Sequence, residues 1–304
     1  MALPREESLR WIVSSYARLR SRHGEGIGDP PVVQPSGSFF PDEFRVDPAS
    51  VDRLLRRMIS YAPISDDLGI ELAFIEPDDA HGGCGSPSCN SDAPAALRAR
   101  TVEELDHGYR VFLVTSQVAD PDMLAGSLSR SVGSLVLHEA NEEAEPAMSE
   151  LAAVACGFGV LVANGAAVWA KGCGGLRMSR ATALDVDEVA VALALFFGIH
   201  QKATSAARSH LRATQRAAFE EAVDWVDSNP VLVEGLRDRP MMLEKGAFDL
   251  EPVRGPFGRW LRKRRTQREQ ALPSPVATAP AMTEDRRRRF AEAQALVDEV
   301  MTRR

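Results

Sequence analysis

The run Asp120–Leu137, DPDMLAGSLSRSVGSLVL, decides how this chain is read. Asp120-Pro121 is a helix-start signal: an acidic cap followed by a residue whose fixed φ suits the first helical turn. Met123, Leu124, Leu128, Val132, Leu135 and Val136 follow at spacings of three and four, which predicts a helix over 122–140 with these residues inward. Pro146 then marks a break before a second helix, expected over 147–170 and closed by the glycine-rich turn KGCGG.

Outward from this pair, the chain reads as strands first and helices afterwards. Residues 1–22 form a short helix with Leu9, Ile12, Val13, Tyr16 and Leu19 on one face, followed by the connector GEGIGDPPVVQPSGSFFPDEF. Asp47 or Ser50 caps a helix over about 49–61, and IELAFIE (70–76) and YRVFLVT (109–115) have the branched apolar content of strands. Further helices are expected at about 185–201, capped by Asp185, and at 204–227, with irregular chain after Pro230. PSPVATAPAMTED has the composition of a linker and precedes a terminal helix, 284–302. Strands followed by packed helices give an α+β class, with no internal repeat.

Composition narrows the class. Of 304 residues, 44% are hydrophobic and 26% charged, which excludes a disordered chain, a collagen-like fibre and a disulfide-stapled miniprotein. Four scattered cysteines and the charged N-terminal segment, without a continuous apolar stretch, lead to the expectation of a cytoplasmic protein. Leu151–Ala170 is 20 residues without a charge, long enough to span a bilayer, yet rich in Ala and Gly. It is read as an apolar central helix of a soluble domain, and a membrane partner is not expected. The net charge of −7 is uneven: residues 254–304 carry 13 Arg or Lys against 6 Asp or Glu. Within this basic tail Arg262, Lys263, Arg264, Arg265 and Arg268 are anion-binding candidates, interleaved with Phe257 and Trp260. They could meet nucleic acid or an anionic surface, or dock on the chain's own acidic body.

The 120–137 run resembles the active-site helix of a group of bacterial zincin-like proteins, D-P-x-x-L-V-A-T-L-A-H-E-L-A-H-V-L-L. VVQPSGSFFPDEF is similar to the group's V-V-L-P-T-x-x-F-F-P-D. SELAAVACGFGVLVANGA is similar to its L-T-D-L-L-x-V-x-L-G-F-G-x-x-x-A-N, and RMSRATALDVDEVAVALALF to its later S-R-x-G-Y-L-x-x-x-E-x-x-Y-A-L-A-L-F. The resemblance covers about residues 30–200. It implies a zincin-like α+β fold over 31–245, preceded by an N-terminal helix and connector (1–30) and followed by a basic linker and C-terminal helix (246–304).

Zincin chemistry needs two imidazoles four residues apart on one helix face, a Glu beside the first as general base, and a third ligand from a later helix. In register, the first His position holds Arg130, the Glu position Ser131 and the second His position Ser134, while the later Asp position holds Glu150. An arginine has no lone pair for a metal and repels a dication, and Ser131 cannot act as the base. The resemblance therefore implies a scaffold without its zinc, a pseudoenzyme with no catalytic residue and no cofactor. Two arrangements are open: Arg130 extends to solvent while Glu150 caps the following helix, or the two meet as an ion pair, for which a bidentate geometry is available.

Two other constellations compete. His138, Glu139 and Glu142 in HEANEEAE, together with Glu150, are the substitute ligands for a hydrolase with atypical metal coordination. The zincin spacing would need a second imidazole four residues after His138, and Glu142 stands there instead. The segment His81-x-x-Cys84-x-x-x-x-Cys89 offers three soft or borderline ligands in a Gly/Ser-rich loop, short of the four that structural zinc takes. No G-x-S-x-G elbow and no phosphate-binding loop occurs. The leading expectation is an inactive zincin-like protein serving as a binding, regulatory or structural module with a protein partner. A zinc-dependent peptidase with atypical ligands is the alternative, and nucleic-acid or anionic-surface binding through the tail is the second.

Overall fold

The structure is a computed structural model that describes residues 3–65, 67–76, 101–172 and 175–253. The loop with His81, Cys84 and Cys89, the anion-binding candidates Arg262, Lys263, Arg264, Arg265 and Arg268, and the expected terminal helix lie outside the described residues.

The chain opens with α1 (Glu6–Ile27), whose Leu9, Ile12, Val13, Tyr16 and Leu19 are buried in the main core. This helix is longer than its sequence pattern predicts: it continues through Gly24 and Gly26 and stops at Gly28, where φ turns to 60°. Helix α2 (Pro48–Ile59) starts at Asp47, whose side chain accepts from Ser50 N at 2.7 Å. A three-stranded sheet follows, made of β1 (Ile70–Ile75), β2 (Val102–Leu105) and β3 (Gly108–Val114). Strand β3 is central, parallel to β1 and antiparallel to β2. Tyr109, Val111 and Leu113 alternate into the core, while Arg110 on the opposite face pairs with Glu71 on β1 and Glu103 on β2. The charged VEEL of β2 carries little strand signal, and its pairing is decided by the neighbour.

After the single turn α3 (Thr115–Val118) comes α4 (Pro121–Glu139), capped by Asp120, which accepts from Asp122 N and Met123 N. Almost every residue of α4 from Met123 to Leu137 is buried, so it is a central helix and not a one-sided surface helix. It packs against α5 (Pro146–Ala153) and α6 (Gly159–Gly165). The crossing with α5 is tight because Gly133 presents no side chain: a Cβ there would sit 1.9 Å from the Ser149 carbonyl oxygen.

The expected single helix over 147–170 is not what forms. Between α5 and α6 the chain makes a wider π-type turn, Val154–Phe158, with Gly157 at φ 94°, and α6 ends at Gly165. Beyond it, Val168–Gly172 and Gly175–Ser179 form an antiparallel pair, β4 and β5. Pro146–Gly165 is the one stretch among the described residues long and apolar enough to cross a membrane, and 89% of its most apolar window is buried.

Helix α7 (Val186–Ile199) has the expected start, with Asp185 and Glu188 forming a reciprocal capping box. The predicted helix over 204–227 divides into α8 (Ser205–Arg208) and α9 (Ala213–Ser228), and the chain beyond Pro230 is helical as α10 (Pro230–Asp238), not irregular. Leu232, Val233 and Leu236 supply the apolar face that fixes α10 to the core. Residues 246–251 also lie on the body: Arg10 donates to the carbonyls of Gly246 and Phe248, and Asn229 pairs with the backbone of Glu251. The architecture is α+β, with the small sheet at one side of a helical core.

Candidate functional site

The polar stripe of α4 meets α5 at the centre of the molecule. Arg130 Nη1 lies 3.9 Å from Glu150 Oε1, with the arginine side chain 8% exposed and Glu150 fully buried. The bidentate geometry is not formed. At 3.9 Å the contact is electrostatic and too long for a hydrogen bond. The carboxylate is instead held by main chain: Ala183 N donates to Oε1 at 2.6 Å and Leu184 N to Oε2 at 2.9 Å. Both amides belong to the turn that leads into α7, so Glu150 ties α5 to that turn across the α4 crossing.

Burial shapes the electrostatics of both groups. It pushes the Glu150 carboxyl up to about 7, against the opposing pull of Arg130 and the two amides. It also lowers Arg130 from its ordinary value, with Glu150 acting in the other direction. A guanidinium starts so high that it stays protonated. Among the described residues its Nε is buried without a hydrogen-bond partner.

The neighbouring hydroxyls are spent within the protein. Ser131 donates to the Ser127 carbonyl at 3.1 Å, one turn back along α4. Ser134 donates to Ser149 Oγ at 2.8 Å across the helix crossing, and Thr101 Oγ1 lies 3.3 Å from Ser134 Oγ. Ser127 donates to Gln117 Oε1 at 2.9 Å. A guanidinium, committed hydroxyls and one carboxylate already bound to two amides do not fit the zinc ion that the zincin resemblance implies.

The substitute ligands do not come together either. Glu142 lies by α1, where His23 Nε2 is 2.9 Å, Arg22 Nη1 3.2 Å and Arg18 Nε 3.7 Å from its carboxylate. His138 stacks near Tyr109, with ring centroids 5.7 Å apart, and Glu139 accepts from the Tyr109 hydroxyl. Glu150 stays in the α4–α5 crossing. Among the described residues no three His, Cys, Asp or Glu side chains converge to hold a metal. The physical reason is that the turn after α4 carries Glu142 toward the cations of α1, away from Glu150.

The sequence places His200 on a predicted helix, where a partly buried and satisfied histidine is expected; the structure buries it but leaves one ring nitrogen without a partner among the described residues. His200, at the end of α7, has Nδ1 3.3 Å from Asp29 Oδ1, while its Nε2 is buried without a hydrogen-bond partner. Tyr16 Oη and Arg20 Nε are also buried and unpartnered, one turn apart on α1. The available signal was an arginine placed four residues after a tyrosine on the apolar stripe of α1. Burial, reinforced by the Arg20 charge, drives the His200 imidazole down to about 4 from 6.5. The unfolded chain therefore binds the extra proton first, so stability is complete above about 6.5 and is lost as pH falls through about 4. Between about pH 7.5 and pH 5 the loss from this group is expected to be about 2 kcal/mol. Urea unfolding at both pH values checks it: His200→Gln should flatten the difference, and an equally acid-sensitive variant would contradict it.

Compared with models of protein families, with characterised proteins and with solved structures, this chain gives no match. The functional reading rests on the chemistry of the α4–α5 crossing.

Proposed function

We propose that this chain is a zincin-like protein in which an ion pair has replaced the metal centre, and that it acts as a binding, regulatory or structural module with a protein partner. One observation carries the reading: a buried cation, Arg130, faces Glu150 at the two positions that the resemblance assigns to metal ligands. A protonated guanidinium there repels a dication, and Glu150 directs both oxygens to backbone amides. The general-base position holds Ser131, whose hydroxyl is bonded to the Ser127 carbonyl.

The test is metal analysis of tag-free protein alongside the triple variant Arg130→His, Ser131→Glu, Ser134→His. The wild type should purify with well under one equivalent of zinc, whereas the variant should gain a chelator-sensitive site. Stoichiometric zinc in the wild type, with peptide hydrolysis lost on chelation, would establish the hydrolase alternative instead.

A further inference from the structure

Arg130 is a cation with donors unused among the described residues. Among the described residues it makes no hydrogen bond, and its one charged neighbour, Glu150, stays at 3.9 Å. Glu150 cannot close that gap without giving up the Ala183 and Leu184 amides that fix it. Guanidinium donors removed from water need an acceptor, and one planar group with two oxygens matches their fork. The arginine side chain keeps 8% of its surface exposed.

A second donor, Gln117 of α3, is tied by Ser127 to the helix that carries Arg130. Ser127, one turn before Arg130, holds Gln117 through the amide oxygen, which leaves the Gln117 Nε2 hydrogens directed elsewhere. Nothing in the fold uses them among the described residues. Charge selects between oxyanions: with Glu150 beside the guanidinium, a single negative charge is better accommodated than two.

We propose that Arg130, assisted by Gln117, forms a carboxylate-binding site at the α4–α5 crossing. The ligand is a small monocarboxylate or the carboxylate of a peptide. This inference rests on the reading of Arg130 as the group that displaced the metal.

The test uses the full-length chain at constant ionic strength, with acetate or inorganic phosphate replacing chloride. Acetate should raise the thermal midpoint saturably and shift the Arg130 Nε–H resonance in nitrogen-15 spectra, with phosphate weaker. N-acetylglycine, compared with its amide, extends the test to a peptide carboxylate: the acid should bind and the amide should not. Gln117→Ala should weaken acetate about tenfold, and Arg130→Met should abolish the response. A stationary Arg130 resonance, or a midpoint shift that survives Arg130→Met, overturns the site. Zinc measured on the same sample separates the two readings: a zinc-free protein that ignores acetate refutes this inference alone, whereas stoichiometric zinc refutes the proposed function.

Discussion

Glu150→Ala is expected to destabilise the protein by about 3–5 kcal/mol, whereas Arg130→Met should cost about 1 kcal/mol or less and could raise stability. The asymmetry follows from what each partner leaves behind. Removing the carboxylate strips the Ala183 and Leu184 amides of their acceptor and leaves the guanidinium buried beside no counter-charge. Each such amide costs about 1–3 kcal/mol when left without a partner, though the losses do not add fully. Removing the guanidinium breaks no hydrogen bond, and the carboxyl keeps both amides. Its pKa near 7 means that it can also take a proton once the cation is gone. A methionine fills similar space with a flexible apolar chain. Urea midpoints for the two variants provide the check. Equal losses would mean that the charge pair, not the amide anchor, holds the crossing together.

Gly157→Ala should cost about 4 kcal/mol or more. Two effects coincide there. The residue has φ 94°, a conformation that L side chains rarely adopt, and an added Cβ would stand 1.9 Å from the Pro31 carbonyl oxygen. The connector must then leave, which breaks the 3.0 Å bond from Val33 N to Gly157 O and exposes the fully buried Val33. Gly28→Ala is the matched control. It too has positive φ, at 60°, but a Cβ there meets nothing within 4 Å. Its φ of 60° goes with ψ −130°, which L side chains avoid, so its loss should be about 1–3 kcal/mol, the conformational part alone. Thermal or urea unfolding of both variants measures the difference. Similar losses at the two positions would show that the connector is not clamped at the π-type turn.

The elements legible in the sequence are those with a local cause. Asp120 capping α4, Asp47 capping α2 and the Asp185–Glu188 box are side-chain-to-backbone contacts within a few residues, so type and spacing specify them. The apolar stripe of α1 and the alternation of β3 are equally local. Strand β2 escaped because Val102–Leu105 pairs with β3 despite its two glutamates, and an edge strand takes its form from its neighbour. The split of the long apolar run escaped because Gly157 bends to receive Pro31, from a distant part of the chain.

By itself, the sequence determined the α+β class, the main helix starts and the placing of Arg130, Ser131 and Ser134 on one helix, since these depend on local backbone preference and residue type. Only the tertiary structure decided that Glu150 binds the amides of Ala183 and Leu184, that Arg130 stands 3.9 Å away, and that Glu142 turns to α1. Those outcomes depend on which distant groups reach a buried charge first. That competition is settled by packing, because in a dry core each polar group must take whatever partner the surrounding helices bring within reach.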